Sequence, residues 1–412
     1  MTAATSAAFR YDPFDPEVMH NPLPFYERLR ADHPVYYIDK YDMFVFSRFD
    51  DIVELLAQGD NVFVASEQTL PSPEVLANVR HMAPPSPLPM DPLPRFSNLG
   101  SPWYDRLRMP QNKPLRPRGV GALQDLVRKL ARERLDVLLP LGEFDLAQDY
   151  GGLVAGGIIC HLFGLDPAMA IDVRDAVNAV TVTDPDKGGV DIVKLIGDLV
   201  GLIRPAVERR RAAGADGEYP LIDGMLQLGF EGRPLTDHEV AMQLVCVFVG
   251  GTETVPKINA HGLMELAARP DQMAAVRADL DANVPKLVEE MIRYCAPAQW
   301  FARLAHKDTV VAGQPIRAGQ RVMFLFGSAA RDEREFDSPD EFIWDRRIPR
   351  VISFGLGQHH CIGAHLARME LRVLADEFLR RVPDFSFDLD RSVRFPSSFQ
   401  WGWNSLHVKI GA

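Results

Sequence analysis

The chain has 412 residues, of which 47% are hydrophobic and 25% charged, with a formal net charge of −11. That is a globular balance with enough length to bury a sizeable core, and no stretch is dominated by Lys and Arg, so a nucleic-acid partner is not expected. The four cysteines, Cys160, Cys246, Cys295 and Cys361, share no short spacing, which argues against a disulfide framework or a Cys-x-x-Cys metal clip and for a reducing compartment.

The opening MTAATSAAFRYDPFDP has no basic start followed by an apolar run, so no signal peptide is expected. No segment offers 18 uncharged apolar residues, so no membrane span is expected, and the protein reads as cytoplasmic. Residues 1–20 read as an N-terminal extension and 21–412 as a single domain. "PFYERLRADHP" (Pro24–Pro34) predicts a short helix stopped by proline. Two β-rich runs, Val35–Ile38 and Met43–Phe46, flank a polar turn and predict a hairpin. "FDDIVELLAQGD" predicts a helix closed by glycine. From Pro71 to Pro102 the chain is dense in proline, which forbids a continuous helix or central strand. This stretch is either a linker or a long loop over a pocket, where His81 or Arg80 could meet a polar ligand group.

Beyond it the pattern is helical: Val120–Leu138, Leu146–Phe163, Pro167–Val180 and Gly189–Ala213. A long helix opens at Thr236-x-x-Glu239, a capping-box signature, and continues to Arg269-Pro270. Its apolar middle, Met242–Val249, predicts a central buried position. A helix over Val284–Tyr294, short β-like runs at Thr309–Val311 and Val322–Phe326, a helix to about Val382 and a β-like tail complete the chain. The fold class expected is mainly α with small β-sheets.

The chemistry concentrates in "SFGLGQHHCIGAHLARME" (Ser353–Glu370). Cys361 has three readings. A cysteine is most often a small buried hydrophobe. It could ligate zinc with His365, one turn on, and His359 or His360, but the chain offers no second ligand pair. Or it is a heme thiolate: just ahead of a helix it gains from the dipole and free N–H groups, and Gly355, Gly357 and Gly363 let backbone pass close to a porphyrin and to sulfur. Phe354-x-x-Gly357-x-His359-x-Cys361-x-Gly363 resembles the heme-binding signature of the cytochrome P450 family. The resemblance implies heme b with Cys361 as axial ligand, Phe354 packed near the sulfur with Gly355 and Gly363 around it, and His359 on a heme propionate.

Further segments resemble the same family in the same order. Glu290-x-x-Arg293 places both side chains on one helix face; the resemblance makes the pair structural, with Arg346 of "FIWDR" as third partner, and Arg303 a propionate ligand. In "SPWYDRLRMPQNKPLRPRGV" it aligns Arg108 with a propionate-binding arginine, and Tyr104 with a position usually histidine, where a phenol can also donate. Pro110 and Pro114 should shorten or bend that helix.

In "GGTETVPK" two glycines each cost about 1 kcal/mol against alanine. Pro256 removes the bond to the Thr252 carbonyl, so the long helix should bulge or kink near Gly251–Thr252. Reducing O2 needs two protons in a dry pocket, which a hydroxyl and a carboxylate can relay. The resemblance makes Glu253 and Thr254 that acid–alcohol pair, with Val255 and Pro256 departing from the usual pattern.

The implied activity is a monooxygenase with a long central helix over the heme and the cysteine loop beneath it. It would insert one oxygen atom from O2 into an apolar small molecule by hydroxylation or oxidative dealkylation. No cysteine set for a cluster and no Gly-x-Gly-x-x-Gly appears, so electrons are expected from an external ferredoxin and NAD(P)H-dependent reductase. Lys113, Arg116, Arg118, Arg347, Arg350, Arg368 and Arg372 are the candidate docking cations. Leu244, Phe248, Gly250, Trp300, Phe301 and Phe399, with Trp401, are the candidate substrate contacts, by position alone. The alternatives are a peroxide-driven enzyme of the same fold, against which Glu253-Thr254 argues, and a non-catalytic heme-binding sensor or carrier.

Overall fold

A computed structural model describes residues 9–65, 70–78, 93–181, 192–395 and 397–411. The N-terminal part alternates short helices with strands: α1 (Pro16–His20), α2 (Leu23–Asp32), β1 (Val35–Ile38), β2 (Met43–Phe46), α3 (Phe49–Ala57), β3 (Phe63–Val64) and α4 (Pro73–Asn78). The hairpin forms as the sequence predicts, with Val35 opposite Phe46 and Ile38 opposite Met43. Residues 79–92, with Arg80 and His81, lie outside the described residues. Then come α5 (Trp103–Asn112), α6 (Pro117–Gly121), α7 (Gln124–Leu138), β4 (Glu143–Asp145), a π-helical stretch Leu146–Gly152, α8 (Leu153–Phe163), α9 (Ala170–Thr181), α10 (Ile192–Ala213), α11 (Pro220–Leu226), β5 (Gly229–Phe230) and β6 (Arg233–Pro234).

The central helix is α12 (Asp237–Ala267), 31 residues long. Its capping box is complete: Glu239 N–H donates to Thr236 Oγ1 at 3.2 Å, and Thr236 N–H to Glu239 Oε2 at 2.8 Å. The helix is continuous through Gly251 and Thr252, where a bulge or kink was expected, and carries Pro256 in its interior. Pro256 packs tightly against the π-helical stretch: a Cβ on Gly151 would lie 2.9 Å from Pro256 Cα. Pro110 likewise lies inside α5, which ends only at Asn112, before Pro114.

The rest is α13 (Pro270–Ala278), α14 (Leu280–Tyr294), β7 (Trp300–Ala305), β8 (Thr309–Val311), β9 (Gln314–Ile316), β10 (Arg321–Leu325), α15 (Phe326–Ala329), α16 (Ala364–Arg381), β11 (Phe385–Arg394) and β12 (Trp403–Ile410). The main sheet runs β1-β2-β10-β7-β3, and its one parallel pair is β2 with β10, Met43 beside Arg321 and Phe46 beside Phe324. Strand alternation splits its side chains between two apolar clusters: Val322 and Phe324 meet Phe46, Ile52 and Leu55 on one face, and Met323 and Leu325 meet Tyr26, Leu29 and Val45 on the other. Tyr11 and Val18 join the second cluster. The largest cluster lies among α7, α8, α12, α14 and α16, so the all-round apolar middle of α12 is its axis.

Candidate functional site

The loop ahead of α16 is shaped by glycine: Gly355 and Gly357 have φ of 70° and 65°, in the left-handed region that disfavours a Cβ. Cys361 N–H donates to Phe354 O at 2.7 Å, which ties the loop shut. A Cβ on Gly363 would stand 4.0 Å from Cys361 Sγ, so backbone lies close to the sulfur. Cys361 is exposed by surface area although protein surrounds it on nearly every side. Burial pushes its pKa up, while the Gly363 N–H, Arg108 and Arg368 pull it down. Phe354 is half-buried, with the Arg368 guanidinium 4.7 Å from its ring centre.

Four cation or hydroxyl donors gather beside this loop. Arg108 on α5 hydrogen-bonds the Tyr104 hydroxyl and the carbonyls of Gln358 (3.0 Å) and His360. Tyr104 lies 4.2 Å from the His359 ring, centre to centre. His359 Nε2 pairs with Asp60 Oδ1 at 2.7 Å; burial lowers its pKa, against the Asp60 carboxylate. Arg303 on β7 is 8% exposed, yet among the described residues it makes one hydrogen bond, to Ala302 O at 2.8 Å, and no ion pair. Burial pushes it down to about 10, with Asp60 and Tyr104 acting the other way. A buried guanidinium without a bonded carboxylate is costly unless an anion meets it. The donor set therefore fits a ligand with carboxylate arms, and the heme expected from the sequence is one. A cleft of about 590 Å³ opens nearby, lined by Asp60, Ser101, Lys307 and Gln358 among others. It contains neither Cys361 nor Thr254, so it is not where their chemistry belongs.

On α12, the stretch from Val240 to Thr254 is mostly buried, but Met242, Cys246, Val249, Gly250, Gly251 and Thr254 keep exposed surface. Positions 242, 246, 250 and 254 recur every four residues and form one stripe. A Cβ on Gly250 would meet nothing within 4 Å, whereas one on Gly251 would stand 2.6 Å from Ile159 Cδ1. Gly250 thus borders open space while Gly251 lets α8 close in. The Thr252 hydroxyl donates to Phe248 O at 2.8 Å. The Thr254 hydroxyl has no hydrogen-bond partner among the described residues and is half-exposed. Glu253 is buried and hydrogen-bonded to Lys257 and Gln400.

Three of the expected substrate contacts, Leu244, Phe248 and Trp300, are buried. Leu244 and Phe248 are fully buried, off the open stripe, and Phe248 meets Phe163 of α8 edge-on at 5.2 Å. Trp300 is 1% exposed and donates from Nε1 to Ser398 O at 2.7 Å, so it holds the tail in place. Phe301 and Phe399 are half-buried and meet edge-on at 5.3 Å. Glu290, Arg293 and Arg346 meet: Arg293 grips both Glu290 oxygens at 2.7 Å, and Arg346 Nε reaches Glu290 Oε1 at 3.2 Å. Arg293 and Arg346 also bind loop carbonyls between Ala330 and Glu341. No group of three His, Cys, Asp or Glu is arranged for a metal ion among the described residues, so the zinc reading has no ligand set there.

Sequence reasoning missed Asp60, Lys257 and Gln400. Asp60 and His359 are 299 positions apart and share no motif. Lys257 carried a local signal, since it lies four residues after Glu253.

Comparisons with known proteins agree in direction. The family model described as "Cytochrome P450" matches residues 177–409. "Putative cytochrome P450 123" of Mycobacterium tuberculosis is 31% identical over 412 residues, covering 97% of this chain and 97% of the relative. "Linalool 8-monooxygenase" of Pseudomonas putida is 29% identical, over 94% and 95%. The crystal structure of CYP108D1 from Novosphingobium aromaticivorans superposes with a TM-score of 0.81 at 25% identity, over 97% of each chain.

Proposed function

The chain belongs to the cytochrome P450 family and is a heme-dependent monooxygenase; from that premise we propose which of its residues perform the reaction. When bound, heme b supplies the oxygen-activating chemistry, and a thiolate ligand strengthens it for cleaving the O–O bond. Cys361 is the residue to hold the iron. It must bind as the thiolate and release its proton on binding, and the Gly363 N–H, Arg108 and Arg368 favour that charge. Arg303, Arg108, His359 and Tyr104 hold the propionates, with Asp60 keeping the His359 ring in place. Glu290, Arg293 and Arg346 brace the loops below and take no part in the chemistry.

We read the Cys361 opening and the stripe Met242–Thr254 as walls of one hollow. Thr254, with its hydroxyl uncommitted, passes protons at Oγ1, and Gly250 leaves room beside it. Glu253, adjacent in the chain, is the carboxylate that renews them. The side chains of Met242, Cys246 and Val249, with Phe301 and Phe399, give the hollow a mainly apolar lining, which suits an apolar substrate. A relative named for acting on linalool is consistent with that chemistry.

Electrons come from outside, from a ferredoxin and its NAD(P)H-dependent reductase. Lys113, Arg116, Arg118 and Arg347 are exposed and have no ion pair among the described residues, so they are free to meet an acidic donor. Arg350, Arg368 and Arg372 already pair with Asp50 or Glu335 and with Glu289. No helix among the described residues is long and apolar enough to cross a membrane, which supports a cytoplasmic setting.

The observation that carries this reading is the deep yet open thiol of Cys361 in its glycine loop. The test is optical. Reduced protein under carbon monoxide should show the strongly red-shifted band of a thiolate-ligated heme, and Cys361→Ser should lose it. A folded, heme-loaded wild type without that band overturns the assignment.

A further inference from the structure

The carboxylate assigned to proton relay is not solvated, and it is not left alone. Lys257, one turn on along α12, donates from Nζ to Glu253 Oε1 and to Gln400 Oε1, and Gln400 Nε2 donates to Glu253 Oε2. The three side chains close a ring of hydrogen bonds in which both carboxylate oxygens are occupied. Glu253, Lys257 and Gln400 are 5%, 3% and 2% exposed. The Phe395 ring covers the ammonium, 3.6 Å from Nζ to its centre. Gln400 is fixed in turn by a Ser397 Oγ bond at 3.1 Å to its N–H and by a β-bridge to Ala298. No other charged side chain reaches Glu253 within hydrogen-bond distance among the described residues.

We propose that Lys257 is the positioning residue of the proton relay: its ammonium keeps Glu253 ionised inside an apolar bundle and holds the carboxylate one residue from Thr254. The inference rests on the monooxygenase reading above and names how its acid is kept ready. A lone buried carboxylate takes up a proton rather than stay charged and, as a weaker acid, holds that proton too tightly to hand it on. The ring also sets which bond opens first. The Lys257 bond joins two opposite charges whereas the Gln400 donor is uncharged, so the Gln400 bond is the weaker and yields, freeing Oε2 while Lys257 retains Oε1. The ionised carboxylate first takes a proton from solvent at Oε2, then passes it toward Thr254 and returns to the anion, while Lys257 keeps its three protons throughout. Burial works against the ammonium, lowering Lys257 to about 8, and the Glu253 charge partly restores it; the two charges are mutually dependent.

Infrared spectroscopy of the heme-loaded protein at neutral pH reads the charge directly, without a substrate. Wild type should show no protonated-carboxyl band that Glu253→Gln removes. Lys257→Met should gain such a band, and the double variant with Glu253→Gln should lose it. Lys257→Arg should restore the wild-type spectrum, and Gln400→Met, which removes an uncharged donor from the same ring, should stay without the band. Lys257→Gln, uncharged but able to hydrogen-bond, asks the same question where the methionine variant does not fold. A Glu253 band already present in wild type, its absence in the uncharged variants, or its appearance in Gln400→Met each overturns the proposal. The carbon-monoxide band of each variant is the separate control: its absence in wild type breaks the Cys361 assignment, whereas its presence with an unresponsive infrared spectrum breaks only this inference.

Discussion

Glu370 on α16 is 1% exposed, and neither carboxyl oxygen has a partner among the described residues. Burial alone raises its pKa well above the ordinary 4.5. The folded chain therefore binds this proton more tightly than the unfolded chain. The stabilisation is fully present below the unfolded value and is lost as pH rises through the folded one, at about 1.4 kcal/mol per pH unit between them. Glu370→Gln removes that slope, so its melting temperature should overtake wild type progressively as pH rises from 5 to 8. Parallel curves would contradict a neutral buried acid. Glu370 follows Cys361 in the quoted motif but was invisible as a buried group, because an α16 face is chosen by what packs on it. The Cys361 loop, by contrast, was legible, since glycines at 355 and 357 are demanded by backbone angles that the residue types themselves announce. The substrate contacts show the limit: helical spacing put Leu244 and Phe248 near Gly250, but only packing decides which face of an all-apolar helix stays open.

At the scale of elements, α14 is tied to the loops before the cysteine by one carboxylate. Glu290 is 0% exposed and accepts from Arg293, Arg346 and the Ile343 N–H at 2.9 Å. Removing one partner of a buried pair strands the other, at about 3–5 kcal/mol. Arg293→Ala should accordingly melt at much lower temperature and retain heme poorly, and a melting curve close to wild type would assign the pair a minor role. The spacing Glu290-x-x-Arg293 was readable from the sequence, as were the hairpin and the capped start of α12, because each rests on local rules. Two predicted helices came out otherwise. Val120–Leu138 is split into α6 and α7, and Leu146–Phe163 begins as a π-helix. Apolar periodicity does not distinguish i+4 from i+5 bonding over seven residues, and the closeness of Gly151 to Pro256 belongs to a neighbouring helix.

For the whole molecule, the net charge of −11 repels an acidic electron donor in general, so productive encounters depend on local cations. Reversing Arg116 and Arg118 to Glu should slow reduction by an acidic ferredoxin, more at low than at high ionic strength, with the carbon-monoxide band unchanged. Rates that keep their salt dependence would move the docking face elsewhere. The mainly helical class was legible from pattern alone, whereas the order of the main sheet was not, because it joins segments far apart in the chain. That order has a consequence for biosynthesis. β2 borders β10, so the strand at 43–46 waits on the ribosome for a neighbour some 280 residues downstream. Apolar side chains of the emerging N-terminal third, Phe46 and Val45 among them, stay uncovered for most of translation. A truncated nascent chain ending before residue 321 should bind chaperones and resist assembly, and the site can take up its cofactor only once Cys361, downstream of the last strand of that sheet, has also left the exit tunnel.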